Sequence, residues 1–296
     1  MTRSTRIAAA VALSLAWATA ALGERKMIQV KGSDTLVNLS QVWAETFTEK
    51  TKKFVAVTGG GSGTGIAALI DGKADLANSS REIKPKEIEQ AKAKGVNPVE
   101  FAVAVDGLSV IVNEKNPIKS LTVEDIGKLF RGEIQNWKAL GGSDAPVTLY
   151  GRQPNSGTYV FFQEHVLGNK DYGKTMNQMN GSAQIVEAVV KDASALGYVG
   201  IGYIFGEDGK VIKGMRPVDV VGKDGKALSP LDRTAVKDGK YPLARALYQY
   251  TNGKPAGDVL ALLQFELSPE GQKIAEKQGF DAIGEELVKK NDAALK

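Results

Sequence analysis

The stretch T-G-G-G-S-G-T-G at residues 58–65 lies between an apolar run that ends at Val57 and a helical run that begins at Ile66. This order predicts a strand, a glycine-rich turn and a helix. Glycines let the backbone turn its N–H groups inward because no Cβ obstructs them, and the helix start adds unpaired donors and the positive end of its dipole. The stretch indicates an anion-binding turn, although similar turns also occur for packing reasons alone.

The same pattern of a small turn residue, a serine, a spacer and a threonine occurs three times, at residues 32–35, 61–64 and 155–158. A strand-like segment precedes each copy and a helix-like run follows it. Arg152 lies four residues before the serine of the last copy. One such serine or threonine is usually just an N-cap. Three in one chain predict that several loops converge on one oxyanion through mostly uncharged donors.

Length and composition indicate a globular chain that is large enough for two lobes. Its 296 residues are 43% hydrophobic and 24% charged. The formal net charge is only +4 and the lysines are scattered among acidic residues, so no nucleic-acid partner is expected. Strand and helix signals alternate along the chain, which predicts the α/β class.

Two apolar ribbons stand out from this alternation, at residues 101–113 and 241–251. The first carries one charged residue, Asp106, and is predicted either as a single buried strand or as a strand that crosses between lobes. The second is also able to cross. Residues 195–205 read as a glycine-punctuated strand and residues 206–239 as turns and surface loops.

Helices are predicted from apolar spacing and capping residues. An amphipathic helix is expected from about residue 35 to 50, and Thr122 begins another with a capping-box pattern. The tail is predicted to carry two helices, at about 256–267 and 269–278, the second capped by Ser268.

The first residues are typical of a secretory signal peptide. Arg3 and Arg6 precede an apolar run that is followed by small residues, so residues 1–23 are predicted to be removed by cleavage after Ala20 or Gly23. A membrane anchor is the alternative, but the run is short for a span of about 20 residues. Because the chain has no cysteine, it can form no disulfide and no lipid attachment at a cysteine. We expect a soluble periplasmic protein.

Common catalytic patterns do not match the glycine-rich turn. A P-loop would place a lysine at its end, and the G-x-G-x-x-G and G-x-S-x-G spacings are both missing. The one histidine, His165, is predicted on a helix surface, and a zinc ion would need partners that the chain lacks. We therefore expect no catalytic residue, no metal and no cofactor.

Several motifs in order resemble the periplasmic phosphate-binding proteins of ABC transporters. They are residues 32–36, 59–65, 156–159 with Arg152, 195–203, 241–254 and 267–272, and the likeness covers nearly the whole mature chain. The resemblance implies a two-lobed periplasmic-binding-protein fold (type II-like) with two crossing strands and the ligand cleft between the lobes. One lobe would comprise residues 27–104 plus 244–296, and the other residues 105–243.

The resemblance also implies ligands for phosphate on both sides of the cleft. On one side they would be backbone N–H groups and a hydroxyl of the first turn and the serine of the glycine-rich turn. On the other side they would be an arginine and the start of the following helix. These residues are Thr35, Leu36 and Ser62, and, across the cleft, Arg152, Ser156, Gly157 and Thr158.

One position departs from the common family pattern in a way that bears on selectivity. Many relatives carry an aspartate where this chain has Ser80, and that carboxylate would accept the proton that phosphate keeps and repel sulfate. Ser80 could accept only weakly, and Asp34 is a candidate proton acceptor in its place. The next residue, Arg81, is either a second positive charge for the ligand or the partner of Glu82 or Glu87.

A second departure concerns Arg152, since an acidic residue that can pair with this arginine in relatives falls at Pro154 here. Arg152 is therefore expected to give its full charge to the ligand.

The leading hypothesis is a monomeric receptor, not an enzyme, that captures inorganic phosphate and delivers it to an ABC-type membrane permease. The alternatives are a sulfate or other oxyanion receptor, a secreted phosphatase or phosphotransferase, and a sensor or adhesin that retains the fold.

Overall fold

The computed structural model describes residues 27–206 and 208–296. The predicted signal peptide at residues 1–23 lies outside the described residues and stays a prediction. Within the described part, none of the helices combines the length and the apolar character that a membrane span requires.

Three sheets form the framework of the described chain. Their strands are β1 (Ile28–Gly32), β2 (Val55–Thr58), β3 (Leu76–Ser79), β4 (Pro98–Gly107), β5 (Ser109–Asn113), β6 (Ser120–Thr122), β7 (Thr148–Arg152), β8 (Asn177–Met179), β9 (Ala195–Val199), β10 (Met215–Pro217), β11 (Asp219–Val221), β12 (Ala227–Leu228) and β13 (Ala244–Asn252). The strand orders are β2-β1-β3-β13-β4 in the first sheet, β10-β5-β9-β7-β8 in the second and β12-β11-β6 in the third. The first sheet takes its strands from the two ends of the described sequence, and the second takes its strands from the middle.

Helices connect and cover these strands, which confirms the α/β class. The predicted caps are present, because Thr122 Oγ1 accepts from Asp125 N at 2.9 Å and Ser268 Oγ accepts from Gly271 N at 3.2 Å. The helices are α1 (Val37–Thr51), α2 (Ser62–Ile70), α3 (Pro85–Ala93), α4 (Val123–Arg131), α5 (Gly157–His165), α6 (Ser182–Lys191), α7 (Arg233–Lys237), α8 (Gly257–Leu267), α9 (Pro269–Lys277) and α10 (Glu285–Leu295).

Parallel pairing brings the loops of the motifs together. In the first sheet β1 pairs in parallel with β2 and β3, and in the second sheet β7 pairs in parallel with β8 and β9. The carboxyl ends of parallel strands meet at one edge of a sheet, so the loops after β1, β2 and β3 gather there, and the loop after β7 faces them.

Both apolar ribbons lie where the chain passes between the two large sheets. The first is a crossing strand, since β4 belongs to the first sheet and, after Leu108, the chain enters β5 of the second. The second ribbon contains β13, which pairs with β4 from Asn252 opposite Pro98 to Ala244 opposite Gly107. The predicted lobe boundaries at residues 104/105 and 243/244 lie close to this crossing and stay a prediction.

The main apolar cores are continuous with the crossing strands. One core joins Phe101 and Leu247 of the first sheet to Ile185 and Val199 of the second half, and another surrounds Trp137. Each fully buried aliphatic or aromatic side chain of this kind contributes about 1.5–3 kcal/mol relative to exposure. The two halves are therefore packed together along the crossing.

Three segments differ from the sequence prediction. The predicted strand at residues 195–205 ends at Val199 and continues as a 3₁₀ turn, Ile201–Tyr203. Residues 206–239 contain β10, β11, β12 and α7, because distant strands β5 and β6 offer edges that composition does not reveal. The tail carries a third helix, α10, held by Asn291, whose side chain bonds both the N–H and the carbonyl of Ala102.

Candidate functional site

Four side chains of the predicted anion site meet where the loops after β1, β2, β3 and β7 face one another. Thr35 lies in a 3₁₀ turn after β1, Ser62 begins α2, Ser80 follows β3, and Thr158 lies in the first turn of α5. Each is buried, with a relative exposure of at most 1%. We call these four residues the hydroxyl cluster.

Hydrogen-bond distances connect the hydroxyl cluster from one half of the protein to the other. Thr158 Oγ1 lies 2.9 Å from Thr35 Oγ1 and 3.3 Å from Ser80 Oγ. Ser62 Oγ lies 3.4 Å from Ser80 Oγ and accepts from Ser80 N at 3.0 Å. Because three members come from the first half and Thr158 comes from the second, the cluster spans the cleft and offers several uncharged donors.

The start of α5 lies directly against these hydroxyls. A Cβ on Gly157 would lie 2.2 Å from Ser62 Oγ and 2.7 Å from Ser80 Oγ, so only glycine permits this approach. The N–H groups of the first helical turn have no partner within the helix, and the helix dipole places positive charge there. The N-terminus of α5 is thus directed at the hydroxyl cluster.

The glycine-rich turn packs on the turn before α5. Gly61 has a φ of 95°, and a Cβ there would lie 2.6 Å from the Asn155 carbonyl oxygen. Gly63 N donates to the same carbonyl at 3.0 Å, and Asn155 Nδ2 donates to Gly60 O at 2.8 Å. These contacts hold the two halves together at one side of the hydroxyl cluster.

Two of the backbone N–H groups expected to bind the anion are used in local turns. Leu36 N donates to Ser33 O at 3.1 Å, and Ser156 N donates to Gln153 O at 3.0 Å. The Ser156 hydroxyl accepts from Tyr159 N at 3.4 Å, which is an ordinary N-cap. The structure therefore places Leu36 and Ser156 beside the site with their N–H groups already bonded.

Arg152, at the end of β7, is 2% exposed, and acceptors bind both terminal nitrogens of its guanidinium, whereas its buried Nε has no hydrogen-bond partner among the described residues. One terminal nitrogen donates to Asp34 Oδ2 and to Asn180 O, and the other donates to Ser182 Oγ at 3.2 Å. Asp34 is therefore the carboxylate partner of this arginine, although it lies 118 residues away in the sequence.

This contact differs from the expectation that Arg152, with Pro154 in its own loop, gives its full charge to the ligand, because Asp34 already pairs with that charge. The partner comes from across the cleft, and a local motif cannot show such a contact. The same contact engages Asp34, the candidate proton acceptor. Its Oδ2 binds Arg152 and its Oδ1 accepts from Gly60 N at 3.0 Å.

A second buried arginine, Arg245, reaches the hydroxyl cluster and was not predicted from the sequence. It lies on β13 directly opposite Asp106 of β4, and its Nε and Nη2 donate to Asp106 Oδ2 at 2.9 and 2.8 Å. Nη2 also donates to Thr158 Oγ1 and Nη1 donates to Ser80 O, both at 3.0 Å. The available signal was that each apolar ribbon carries one charged residue.

Burial governs the electrostatics of this second pair. Removal from water lowers the pKa of Arg245, and the charge of Asp106 opposes that shift. The carboxylate is fully buried, and its Oδ1 accepts from Ile201 N at 2.8 Å. The two charges are therefore compensated within the protein.

Arg81 forms the predicted ion-pair alternative. Its two terminal nitrogens donate to Glu87 at 2.8 and 2.7 Å, in the forked geometry that arginine forms with carboxylates. It also donates to Glu82 O at 2.8 Å. The structure thus favours Glu87, and not the anion, as the partner of the Arg81 terminal nitrogens.

Two tyrosines that were not predicted support the first arginine pair. Tyr203 donates to Asp34 O at 2.6 Å, and the Tyr198 hydroxyl accepts from Arg152 N at 3.1 Å. Burial raises the pKa of each tyrosine to about 12, so both remain neutral at neutral pH. They act as fixed hydrogen-bonding groups behind the site.

His165 lies at the end of α5, exposed, with its ring stacked 4.0 Å from the ring of Phe161. Among residues 27–206 and 208–296, no group of histidine, aspartate and glutamate side chains is arranged to hold a metal ion.

Several known proteins are similar to this chain. The PBP superfamily domain matches residues 17–270. A phosphate-binding protein PstS of Pseudomonas aeruginosa is 32% identical over 277 residues, which is 88% of this chain and 84% of the relative. Protein SphX of Synechococcus elongatus is 32% identical over 282 residues, covering 92% and 82% of the two chains.

Solved structures of phosphate-transport proteins are also similar to this chain. A protein described as a phosphate ABC transporter substrate-binding protein from Clostridium perfringens, solved with bound phosphate, is 28% identical with a TM-score of 0.76, covering 88% of this chain and all (100%) of the other. An ABC-type phosphate transport receptor from Vibrio cholerae is 26% identical with a TM-score of 0.65, covering 86% and 99%.

Proposed function

This chain belongs to the PBP superfamily and, within it, to the family of PstS phosphate-binding proteins, and from that premise we propose that it binds inorganic phosphate for an ABC transporter. The observation that carries the proposal is the hydroxyl cluster, enclosed between two sheets and flanked by Arg152 and the start of α5. Many uncharged donors with one cation from across the cleft suit a small oxyanion.

The proposed ligands are the hydroxyls of Thr35, Ser62, Ser80 and Thr158, the N–H groups of Gly157 and Thr158, and the guanidinium of Arg152. Asp34 holds this guanidinium in place from the opposite half. Leu36 and Ser156 shape the two turns that carry these donors. Arg81 stabilises the loop after β3 through Glu87.

The predicted lobes, residues 27–104 plus 244–296 and residues 105–243, would open and close about the two crossing strands. In the described arrangement the halves touch through Thr35 and Thr158 and through Asp34 and Arg152, so opening would separate the donors. We propose that the protein acts in the periplasm as a monomer and delivers phosphate to the permease subunits without chemical change.

Titration of the purified, phosphate-stripped mature protein with phosphate and then sulfate tests this function. We expect phosphate to bind and the Arg152→Ala variant to lose about 2–5 kcal/mol of binding free energy, as for removal of a desolvated charge. Arg131→Ala is the matched control, since the Arg131 side chain is only 9% exposed and bonds Glu124 and Glu133, which are not part of the cluster. Near-normal affinity in the Arg152 variant would contradict the proposed site.

Two further assays separate the other classes of function. Turnover of a chromogenic phosphate ester, with or without added metals, would indicate a phosphatase. Loss of phosphate uptake on deletion of the gene supports a transport component, whereas unchanged uptake would favour a sensor or adhesin. If the protein binds phosphate and sulfate equally, the proposed ligand is a tetrahedral oxyanion in general and not phosphate in particular.

A further inference from the structure

The chain contains two asparagines that are followed by glycine, Asn180 before Gly181 and Asn252 before Gly253. In such a pair the main-chain nitrogen of the glycine can attack the side-chain amide of the asparagine, because glycine has no Cβ to hinder the approach. The reaction needs an accessible amide and a glycine N–H that no hydrogen bond holds in place. The two pairs differ in the second requirement.

The pair at Asn252 is held by hydrogen bonds to a neighbouring residue. Asn252 ends β13, and its side-chain oxygen accepts from Asn97 N at 3.0 Å. Gly253 N donates to Asn97 O at 2.7 Å. The nitrogen that would attack is therefore engaged, so this pair is protected although Asn252 is exposed.

The pair at Asn180 connects β8 to α6 and lacks this protection. Asn180 is exposed, and Gly181 N donates to no residue that the structure describes. The Asn180 side-chain oxygen accepts from Gln153 Nε2 at 2.7 Å. A donor at this oxygen stabilises the negative charge that develops there when a nitrogen attacks the amide carbon. This pair therefore has both an available nitrogen and a hydrogen-bonded carbonyl group.

The same peptide group forms part of the surroundings of Arg152. The main-chain oxygen of Asn180 accepts from Arg152 Nη2 at 2.9 Å, and Ser182 Oγ accepts from Arg152 Nη1 at 3.2 Å. The arginine is buried and also pairs with Asp34. A rearrangement of the main chain at Asn180 therefore changes the acceptors of this guanidinium.

We propose that Asn180 is a site of spontaneous deamidation and that its isoaspartyl product places a second carboxylate on Arg152. The Gly181 nitrogen bonds to the side-chain amide carbon of Asn180 and closes a succinimide ring, and the amide nitrogen leaves as ammonia with the proton of the Gly181 N–H. Water then opens the ring. Opening at the side-chain carbon gives aspartate, and opening at the main-chain carbon gives isoaspartate.

The isoaspartyl product affects the anion site because of the carbon that becomes the acid. The peptide bond to Gly181 then runs through the former side chain, and the main-chain carbonyl group that Arg152 contacts becomes a carboxylate. A charged acceptor binds arginine more strongly than a neutral carbonyl, so this carboxylate competes with an anionic ligand for Arg152. The effect on the ligand rests on the proposed function, whereas the modification itself does not.

Incubation of the purified mature protein in mildly alkaline buffer, followed by peptide mapping with mass spectrometry, tests the modification. Replacement of the amide by an acid raises the mass of the peptide, and chromatography separates the aspartyl and isoaspartyl products. We expect Asn180 to react roughly 3- to 10-fold faster than Asn252, as for one backbone hydrogen bond that need not be broken. Equal rates, or a faster reaction at Asn252, would overturn the inference.

Gly181→Ala is the variant that should block the reaction without disturbing the fold. Gly181 has a φ of −138°, which any residue adopts, and a Cβ there would meet no atom within 4 Å. The added methyl group hinders the attack, so we expect Asn180 to stay unmodified while the rate at Asn252 is unchanged. Deamidation of this variant at the wild-type rate would contradict the mechanism.

Calorimetric titration of fresh and incubated protein with phosphate tests the effect on the ligand. We expect the isoaspartyl form, separated by ion exchange, to bind phosphate about tenfold more weakly than fresh protein, as for a competing bond to a charged group. Incubated Gly181→Ala should keep its affinity. Asn180→Asp has the new carboxylate on an ordinary main chain and should bind phosphate more tightly than the isoaspartyl form.

Two results separate this inference from the proposed function. If the isoaspartyl form is folded, as thermal denaturation shows, and binds phosphate like fresh protein, the inferred contact with Arg152 is wrong and the proposed function stands. If fresh protein binds no phosphate, the proposed function falls together with the effect on the ligand, and peptide mapping alone still decides whether Asn180 is modified.

Discussion

Two buried arginine–aspartate pairs flank the same hydroxyl cluster, and they are built differently. Arg152 and Asp34 come from loops of the two opposite halves, and the Asp34 side chain is 15% exposed. Arg245 and Asp106 lie opposite each other on two neighbouring strands of one sheet, with side-chain exposures of 3% and 0%. The first pair exists only where the halves meet, whereas the second is part of the crossing itself.

This difference assigns the two pairs different tasks. A charge pair across a cleft can separate when the cleft opens and form again when it closes. A pair inside a sheet has lost its hydration permanently and depends on its partner, since an isolated buried charge is very unfavourable. The first pair is therefore suited to anion binding, and the second is suited to holding the hydroxyls in position.

Among the substitutions in the two pairs, removal of Arg245 should have the largest effect on the stability of the protein. Arg245→Met leaves Asp106 charged and buried without its cation, so we expect the free energy of unfolding to fall by about 3–5 kcal/mol. Urea denaturation of the phosphate-free protein measures this loss. Arg152→Ala should lose less stability, because Asp34 can then reach water.

A double variant separates the contribution of the buried charge to stability from the contribution of packing. Arg245→Met combined with Asp106→Leu removes both charges and should recover much of the stability that Arg245→Met loses. Equal stability of the wild type and Arg245→Met would show that the second pair is not buried as described, and the contrast between the two pairs would disappear.

The sequence predicts the arginine of the first pair and not the arginine of the second pair, and the reason is physical. Arg152 lies within a short motif that also contains a helix start, and local chemistry marks it. Arg245 lies in an apolar ribbon, and its partner Asp106 is 139 residues away. Only the pairing of β4 with β13 brings them together, and this register is not visible in either segment alone.

The same limit applies to the fold. Alternating strand and helix signals predict the α/β class, the caps at Thr122 and Ser268, and the turns that carry Thr35, Ser62 and Thr158. The strands β10 to β12 and helix α10 were missed because they depend on distant edges and on packing against β4. Elements defined by local pattern are predictable, and elements completed by a distant partner are not.

Another buried carboxyl group, that of Glu266, has no arginine partner among the described residues. Glu266 on α8 is 1% exposed, and its nearest donor is Gln249 Nε2 at 3.4 Å. Burial raises the pKa of Glu266 from 4.5 to about 8. This group stays protonated in the folded protein at neutral pH.

The folded state therefore holds a proton that the unfolded chain releases. The stabilisation is complete below pH 4.5, the unfolded value, and is lost as the pH rises toward about 8, the folded value. Glu266→Gln should remove this dependence and be more stable than the wild type at pH 8, by on the order of 4 kcal/mol. Urea denaturation from pH 5 to 8 measures it. The exposed Glu270→Gln should behave like the wild type, and a parallel pH dependence in Glu266→Gln would contradict the assignment.

The substitution with the smallest expected effect places a new carboxylate between the second pair and the anion. Ser80→Asp places a carboxylate in the cluster next to Thr158 and within the reach of Arg245, which already bonds the carbonyl of residue 80. An aspartate accepts the proton of phosphate more strongly than a hydroxyl and repels fully ionised sulfate. We expect the ratio of phosphate to sulfate affinity to rise by about tenfold, or about 1.4 kcal/mol, in competition titrations.

Ser62→Asp is the matched control and should weaken the binding of both anions, because it replaces a donor. A fall in the ratio for Ser80→Asp would mean that Arg245 draws the new carboxylate away from the anion, and the second pair would then compete with the ligand instead of supporting it.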